Sequence, residues 1–207
     1  GWELQGRVTH TLLEGRVDIE CGSTTNTNER QKQVDFSYTT FVTGARVMAR
    51  KKDKITALAD LRGKAVAVTK GTTGEKLVNA ENVAGALKLN IVVQDNNDAS
   101  FKAVESGQAD AFVTDDILLF GLIAKSAKPA DYEVVGKYIS IEPYALMIRK
   151  DDGRFKGVVN RALQRVYKSG EIKTIYNRWF VNGERNIPMS TRLKESIAQP
   201  NSAPAYP

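Results

Sequence analysis

The sequence predicts an α/β fold, on three observations. Short β-branched or apolar runs alternate with longer segments whose apolar residues recur at helical spacing. Glycine and proline turn signals stand at the joins, as in Arg62-Gly63, Lys70-Gly71, Ser106-Gly107, Lys128-Pro129, Asp152-Gly153 and Ser169-Gly170. No run approaches the roughly eighteen consecutive apolar residues of a membrane span; the longest uncharged one is Ile117 to Ala124.

In chain order, Gly1-Trp2-Glu3-Leu4 lacks the basic start, apolar stretch and cleavage site of a signal peptide, so an export signal is expected to have been removed or never included. Strands are predicted at Val17 to Cys21, Phe41 to Met48, Ala65 to Val68, Ile91 to Val93, Ala111 to Val113, Glu133 to Val135 and Tyr144 to Ile148. Helices are predicted over Gly74 to Leu89, Ala99 to Ser106, Asp116 to Ser126, Phe155 to Lys168 and Glu171 to Phe180. From Ser190 to Pro207 there are three prolines, Pro200, Pro204 and Pro207, and little periodicity, so this tail is expected to wrap the surface or fray.

Composition removes several function classes. With one histidine, His10, the usual histidine metal clusters and Ser-His-Asp triads are unavailable, so no metal and no cofactor is expected. The single cysteine, Cys21, can form no intrachain disulfide. The formal charge is +6, but the basic residues are scattered among acidic ones with no block interleaved with aromatics. That pattern suits small anionic ligands better than nucleic acid.

Three constellations carry chemistry, each beside a plainer role. Cys21-Gly22-Ser23-Thr24-Thr25-Asn26 followed by Arg30 ends a strand in hydroxyls and backbone groups, where open α/β folds bind ligands, and Arg30 could clamp a carboxylate. Equally, Thr25, Asn26 or Thr27 could cap a helix beginning near Glu29. Val66-Ala67-Val68-Thr69-Lys70-Gly71-Thr72-Thr73-Gly74 is a strand, a glycine turn and a helix start, a ready anion site or an ordinary capped helix. It is not a nucleotide P-loop, because Lys76 is followed by Leu77. Finally, Asp115-Asp116 closes the strand Ala111 to Val113; Asp116 reads as the cap of the next helix, which leaves Asp115 to hold an ammonium group. Together these supply donors for a carboxylate and an acceptor for an ammonium, the set an α-amino acid needs.

At these residues the sequence resembles the type II periplasmic binding proteins and, within them, the glutamate/aspartate-binding proteins of polar amino-acid ABC transporters. The resemblance runs from about Gly15 to Phe180. It is carried by Asp18 to Asn26 with Glu29-Arg30-Gln31-Lys32-Gln33 and Phe36-Ser37, by Asp60-Leu61-Arg62-Gly63-Lys64 leading into Gly71-Thr72-Thr73, by Glu105-Ser106-Gly107 and Asp115-Asp116, and by Arg149-Lys150-Asp151-Asp152 and Trp179-Phe180.

The resemblance implies a two-lobe fold with a hinge. Lobe 1 takes residues 1–46 and 144–207 and lobe 2 residues 47–143, with crossing segments near Arg46 to Arg50 and Glu142 to Met147. It implies that Arg30 binds the ligand α-carboxylate with help from Thr25 and the Thr72-Thr73 turn, and that Ser23, Thr25 and Asp115 receive the ammonium. Asn97 stands near a position where the family often places a histidine on the distal carboxylate. Arg7 stands near a second family arginine, and the resemblance implies a helix ahead of Gly15. The first lobe looks incomplete at its front, which leaves the strand Val17 to Cys21 with an open edge and suggests a homo-oligomer. The expected partners are an amino acid and the membrane permease of an ABC transporter, in the periplasm. The competing classes are an enzyme on the same scaffold, resembling a cyclohexadienyl dehydratase with Glu20 or Glu75 as general acid, and a sensory receptor ectodomain.

Overall fold

The computed structural model describes residues 10–13, 16–182 and 185–205. These fall into two compact units: the described residues up to Val42 together with those from Pro143 onward, and Thr43–Glu142.

The second unit is built on a five-stranded sheet of order β6-β5-β7-β4-β8. Its strands are β4 (Ala45–Arg50), β5 (Ala65–Thr69), β6 (Asn90–Gln94), β7 (Ala111–Asp115) and β8 (Tyr132–Val135), and its helices are α1 (Thr73–Ala84), α2 (Asn97–Glu105) and α3 (Asp116–Lys125). β5, β6 and β7 run parallel, while β4 is antiparallel to both β7 and β8. The near-continuous apolar runs follow from burial on both faces. Alternate residues of one strand serve opposite cores. Ala45, Val47 and Ala49 join Val66, Val68, Val78 and Val113 on one side, whereas Met48 joins Ala67, Phe101, Phe112 and Leu119 on the other.

The first unit holds a four-stranded sheet of order β1-β2-β9-β3, made of β1 (His10–Leu13), β2 (Arg16–Glu20), β3 (Asp35–Thr43) and β9 (Glu142–Ile148). Helices α4 (Gly153–Ser169) and α5 (Glu171–Phe180) are joined at Gly170, whose φ of 78° is the left-handed turn that lets one helix end and the next begin. They are tied to the sheet through β3. Phe41 stacks on Tyr176 at 6.0 Å and meets Phe180 at 5.2 Å, while Tyr167 Oη donates to the Thr39 carbonyl at 2.8 Å. A short ribbon of β10 (Val181–Asn182) and β11 (Arg185–Asn186) and a last helix, α6 (Thr191–Ala198), complete the chain.

Several expectations change here. Phe41 to Met48 is two strands, not one, because the chain breaks at Gly44 between β3 and β4. The first long helix ends at Ala84 and not at Leu89: Ala86 and Lys88 take left-handed conformations, and Leu87 and Leu89 reach the core from the loop, which explains their helix-like spacing. Ahead of β2 lies a strand, β1, paired antiparallel to it, where the resemblance implied a helix. β2 therefore has a partner on each side, β1 and β9, and the open edge that suggested an oligomer is absent there. The tail contains α6, capped by the Ser190 hydroxyl on Leu193 N, and beyond it the chain does wrap the first unit: Asn201 O accepts from Thr39 N, and Ala205 N donates to Asn26 O.

The chain passes from the first unit to the second between Val42 and Thr43 and returns between Glu142 and Pro143. Arg46 to Arg50, expected as a crossing, lies inside β4 with Val47, Met48 and Ala49 fully buried. Arg7 lies outside the described residues. Among those described, no helix is long and apolar enough to cross a membrane and no group of His, Cys, Asp and Glu could hold a metal ion.

Candidate ligand-binding site

In the second unit the carboxyl ends of parallel β5, β6 and β7 lead into the amino ends of α1, α2 and α3, the edge at which open α/β sheets bind ligands. Thr72 caps α1: its Oγ1 accepts from Glu75 N at 3.2 Å and donates to the Thr69 carbonyl at 2.6 Å. Glu75 returns the arrangement by accepting from Gly71 N at 2.7 Å. Thr73 and Gly74 follow in the first turn, where backbone N–H groups have no intrahelical acceptor and can serve an anion. Gly74 packs so closely on β7 that a Cβ there would lie 3.1 Å from the Val113 carbonyl, which places this helix start beside the strand that ends in Asp115.

Asp115 is buried at 6% exposure at the end of β7, and its side chain does not cap α3. Asp116 does not act as the cap either. Its carboxylate accepts from Thr43 Oγ1 at 2.5 Å and from Tyr138 Oη at 2.6 Å, and its own N–H donates to Gly44 O. It is thus occupied for a different reason than the sequence suggested.

Asn97 opens α2 next to the cap Asn96. Its Oδ1 accepts from Thr69 Oγ1 at 2.7 Å, and Thr69 Oγ1 also lies 2.9 Å from Ser100 Oγ. The amide nitrogen of Asn97 carries two N–H donors that a ligand oxygen can accept. Thr69 was not singled out from the sequence, although a hydroxyl at the end of Val66-Ala67-Val68 is the signal that could have found it.

In the first unit, the loop after β2 carries Ser23 and Thr25. Thr25 is buried, bridged to Tyr144 on β9, and its carbonyl accepts from Arg30 Nη1 at 2.9 Å. Arg30 starts only a three-residue 3-10 helix, and of the three proposed caps it is Thr27 whose Oγ1 accepts from Arg30 N. Asn26 is structural: its side chain donates to Ser202 O and accepts from Gln31 Nε2. Glu20 accepts from Thr24 Oγ1 at 2.8 Å, so both carboxylates considered as general acids have structural partners. Ser23, Thr25 and Arg30 therefore share one loop, and Thr72, Thr73, Asn97 and Asp115 share one sheet edge.

Residues 5–182 match the sequence profile of the bacterial extracellular solute-binding proteins, family 3. The chain belongs to that family. It is 46% identical to the L-glutamate/L-aspartate-binding protein of Pseudomonas aeruginosa, over 94% of this chain and 66% of that protein. It is 42% identical to the glutamate/aspartate import solute-binding protein of Escherichia coli, over 92% of this chain and 65% of that protein. The chain thus spans about two thirds of the length of these relatives. Among solved structures, an ancestral arginine-binding protein bound to arginine superposes with a TM-score of 0.73 at 35% identity, covering 80% of this chain and 73% of the other. The GluR0 ligand-binding core of Nostoc punctiforme, in complex with L-glutamate, superposes with a TM-score of 0.69 at 27% identity, covering 79% and 73%. The fold is the two-lobe type II periplasmic-binding fold.

Proposed function

We propose that this chain captures an acidic L-amino acid, glutamate or aspartate, in the periplasm and delivers it to the membrane permease of an ABC importer, with binding and no chemistry as its output. The observation that carries the reading is the sheet edge of the second unit, where a buried carboxylate, Asp115, stands beside a helix amino terminus at Thr72-Thr73. Asp115, Ser23 and Thr25 take the ammonium group; Arg30, Thr25 and the Thr72-Thr73 turn take the α-carboxylate. The names of the Pseudomonas and Escherichia relatives support the ligand class and the importer.

Asn97 bears on the choice among amino acids. One lone pair of its oxygen is taken by Thr69, and its two N–H donors suit a distal carboxylate or amide oxygen. Calorimetric titration with L-glutamate, L-aspartate, L-glutamine and L-arginine tests the reading. Saturable binding of glutamate or aspartate without arginine binding is expected; a preference for arginine, or no heat with any of the four, contradicts it.

A further inference from the structure

We infer that Asp116 is a positioning residue for ligand capture: it fixes Asp115 and both points at which the chain enters and leaves the second unit into one rigid node. This rests on the proposed role of Asp115.

The groups that meet at Asp116 come from two other parts of the sequence, Thr43-Gly44 and Tyr138. Thr43, the first residue of the second unit, donates its hydroxyl to Oδ1 at 2.5 Å. Tyr138, four residues before the unit's last residue Glu142, donates its phenol to Oδ2 at 2.6 Å. The Asp116 N–H donates to Gly44 O at 3.0 Å. Asp116 is itself 8% exposed, so its carboxylate depends on these donors for the charge it keeps out of water.

The entering and leaving segments are locked to each other as well. Ala45 N donates to Ser140 Oγ at 3.1 Å, Ser140 Oγ donates to Glu142 Oε1 at 2.7 Å, and Ile139 N donates to Ala45 O at 2.9 Å. They approach so closely at Gly44 that a Cβ there would lie 2.3 Å from Ser140 O. Ala45 is also the residue paired with Asp115 across β4 and β7. Asp115 is thus one peptide bond from Asp116 and one strand pairing from Ala45, the residues that hold the entering and leaving segments. Tyr138 is 61% exposed and adds little to the core; its hydroxyl donates to Asp116 and its ring lies under Arg46 at 5.7 Å.

The test uses Thr43→Val, Tyr138→Phe and their double variant, with Val104→Ala as a control. Val104 is fully buried in the core at the far end of α2 from Asn97. L-Glutamate affinity is measured by calorimetry and the ligand-free thermal midpoint by circular dichroism. Each single node variant is expected to weaken binding about tenfold or more, and the double variant by less than the product of the two. Val104→Ala is expected to lower the midpoint at least as far while leaving affinity within about twofold of wild type. Wild-type affinity in both single variants, or affinity losses that track the thermal midpoint in all four including Val104→Ala, overturns the inference alone. A wild-type protein that binds no amino acid overturns it together with the functional reading.

Discussion

Arg30 does two things at once: its Nη1 holds the Thr25 carbonyl, and its guanidinium is the cation proposed for the ligand carboxylate. Arg30→Ala is expected to remove measurable amino-acid binding, a loss of about 3–5 kcal/mol for leaving a buried charge without its partner. Unfolding should remain cooperative; wild-type affinity by calorimetry would take Arg30 out of the site. Tyr167 supplies a residue-scale test of the fold. Burial pushes its phenol up to about 12, and its hydroxyl donates to Thr39 O. Below the ordinary tyrosine value near 10 the phenol is neutral in both states and its stabilisation is complete. As pH rises from about 10 to about 12 the unfolded chain ionises first, so stability falls through that window. Urea unfolding at pH 9 and pH 11.5 should show a drop that Tyr167→Phe reduces; an unchanged drop would assign it to other groups. The residues at strand ends were legible because sequence order places them there. Asp116 was misread because Thr43, a donor to its carboxylate, is 73 positions away, and no local pattern announces such a pairing.

At the scale of elements, apolar runs such as Val66 to Val68 and Ala111 to Val113 announced their strands, because a strand covered on both faces must be apolar throughout. What sequence could not supply were breaks decided by contact. Gly44 looks like a tolerable strand residue until Ser140 is brought against it. Gly44→Ala is accordingly expected to destabilise the protein by at least about 1–3 kcal/mol through overpacking against backbone. Gly157 is the contrast. It lies inside α4, where an added Cβ would meet only the mobile end of Arg161 at 3.3 Å. Gly157→Ala is expected to stabilise by about 0.5–1 kcal/mol. Urea midpoints that move the same way for both substitutions would contradict this reading of the two positions.

For the whole molecule, the proposed roles fall on both units: Ser23, Thr25 and Arg30 lie in one, and Thr72, Thr73, Asn97 and Asp115 in the other. The α/β class and the strand-end placement of these residues could be read from order and spacing along the chain. The division between units fell at Val42/Thr43 and Glu142/Pro143, since which side of a boundary a strand joins depends on pairings far away in sequence. The most direct test of the account compares L-glutamate with glutarate, which keeps both carboxylates and lacks the amine, on wild type and on Asp115→Asn by calorimetry. The account predicts that wild type strongly prefers glutamate. It also predicts that Asp115→Asn weakens glutamate on the order of 10- to 150-fold, the worth of one charged hydrogen bond, with little change for glutarate. Equal losses for both ligands, or a wild type that binds them alike, would contradict an amino-acid receptor that reads its ligand's ammonium through Asp115.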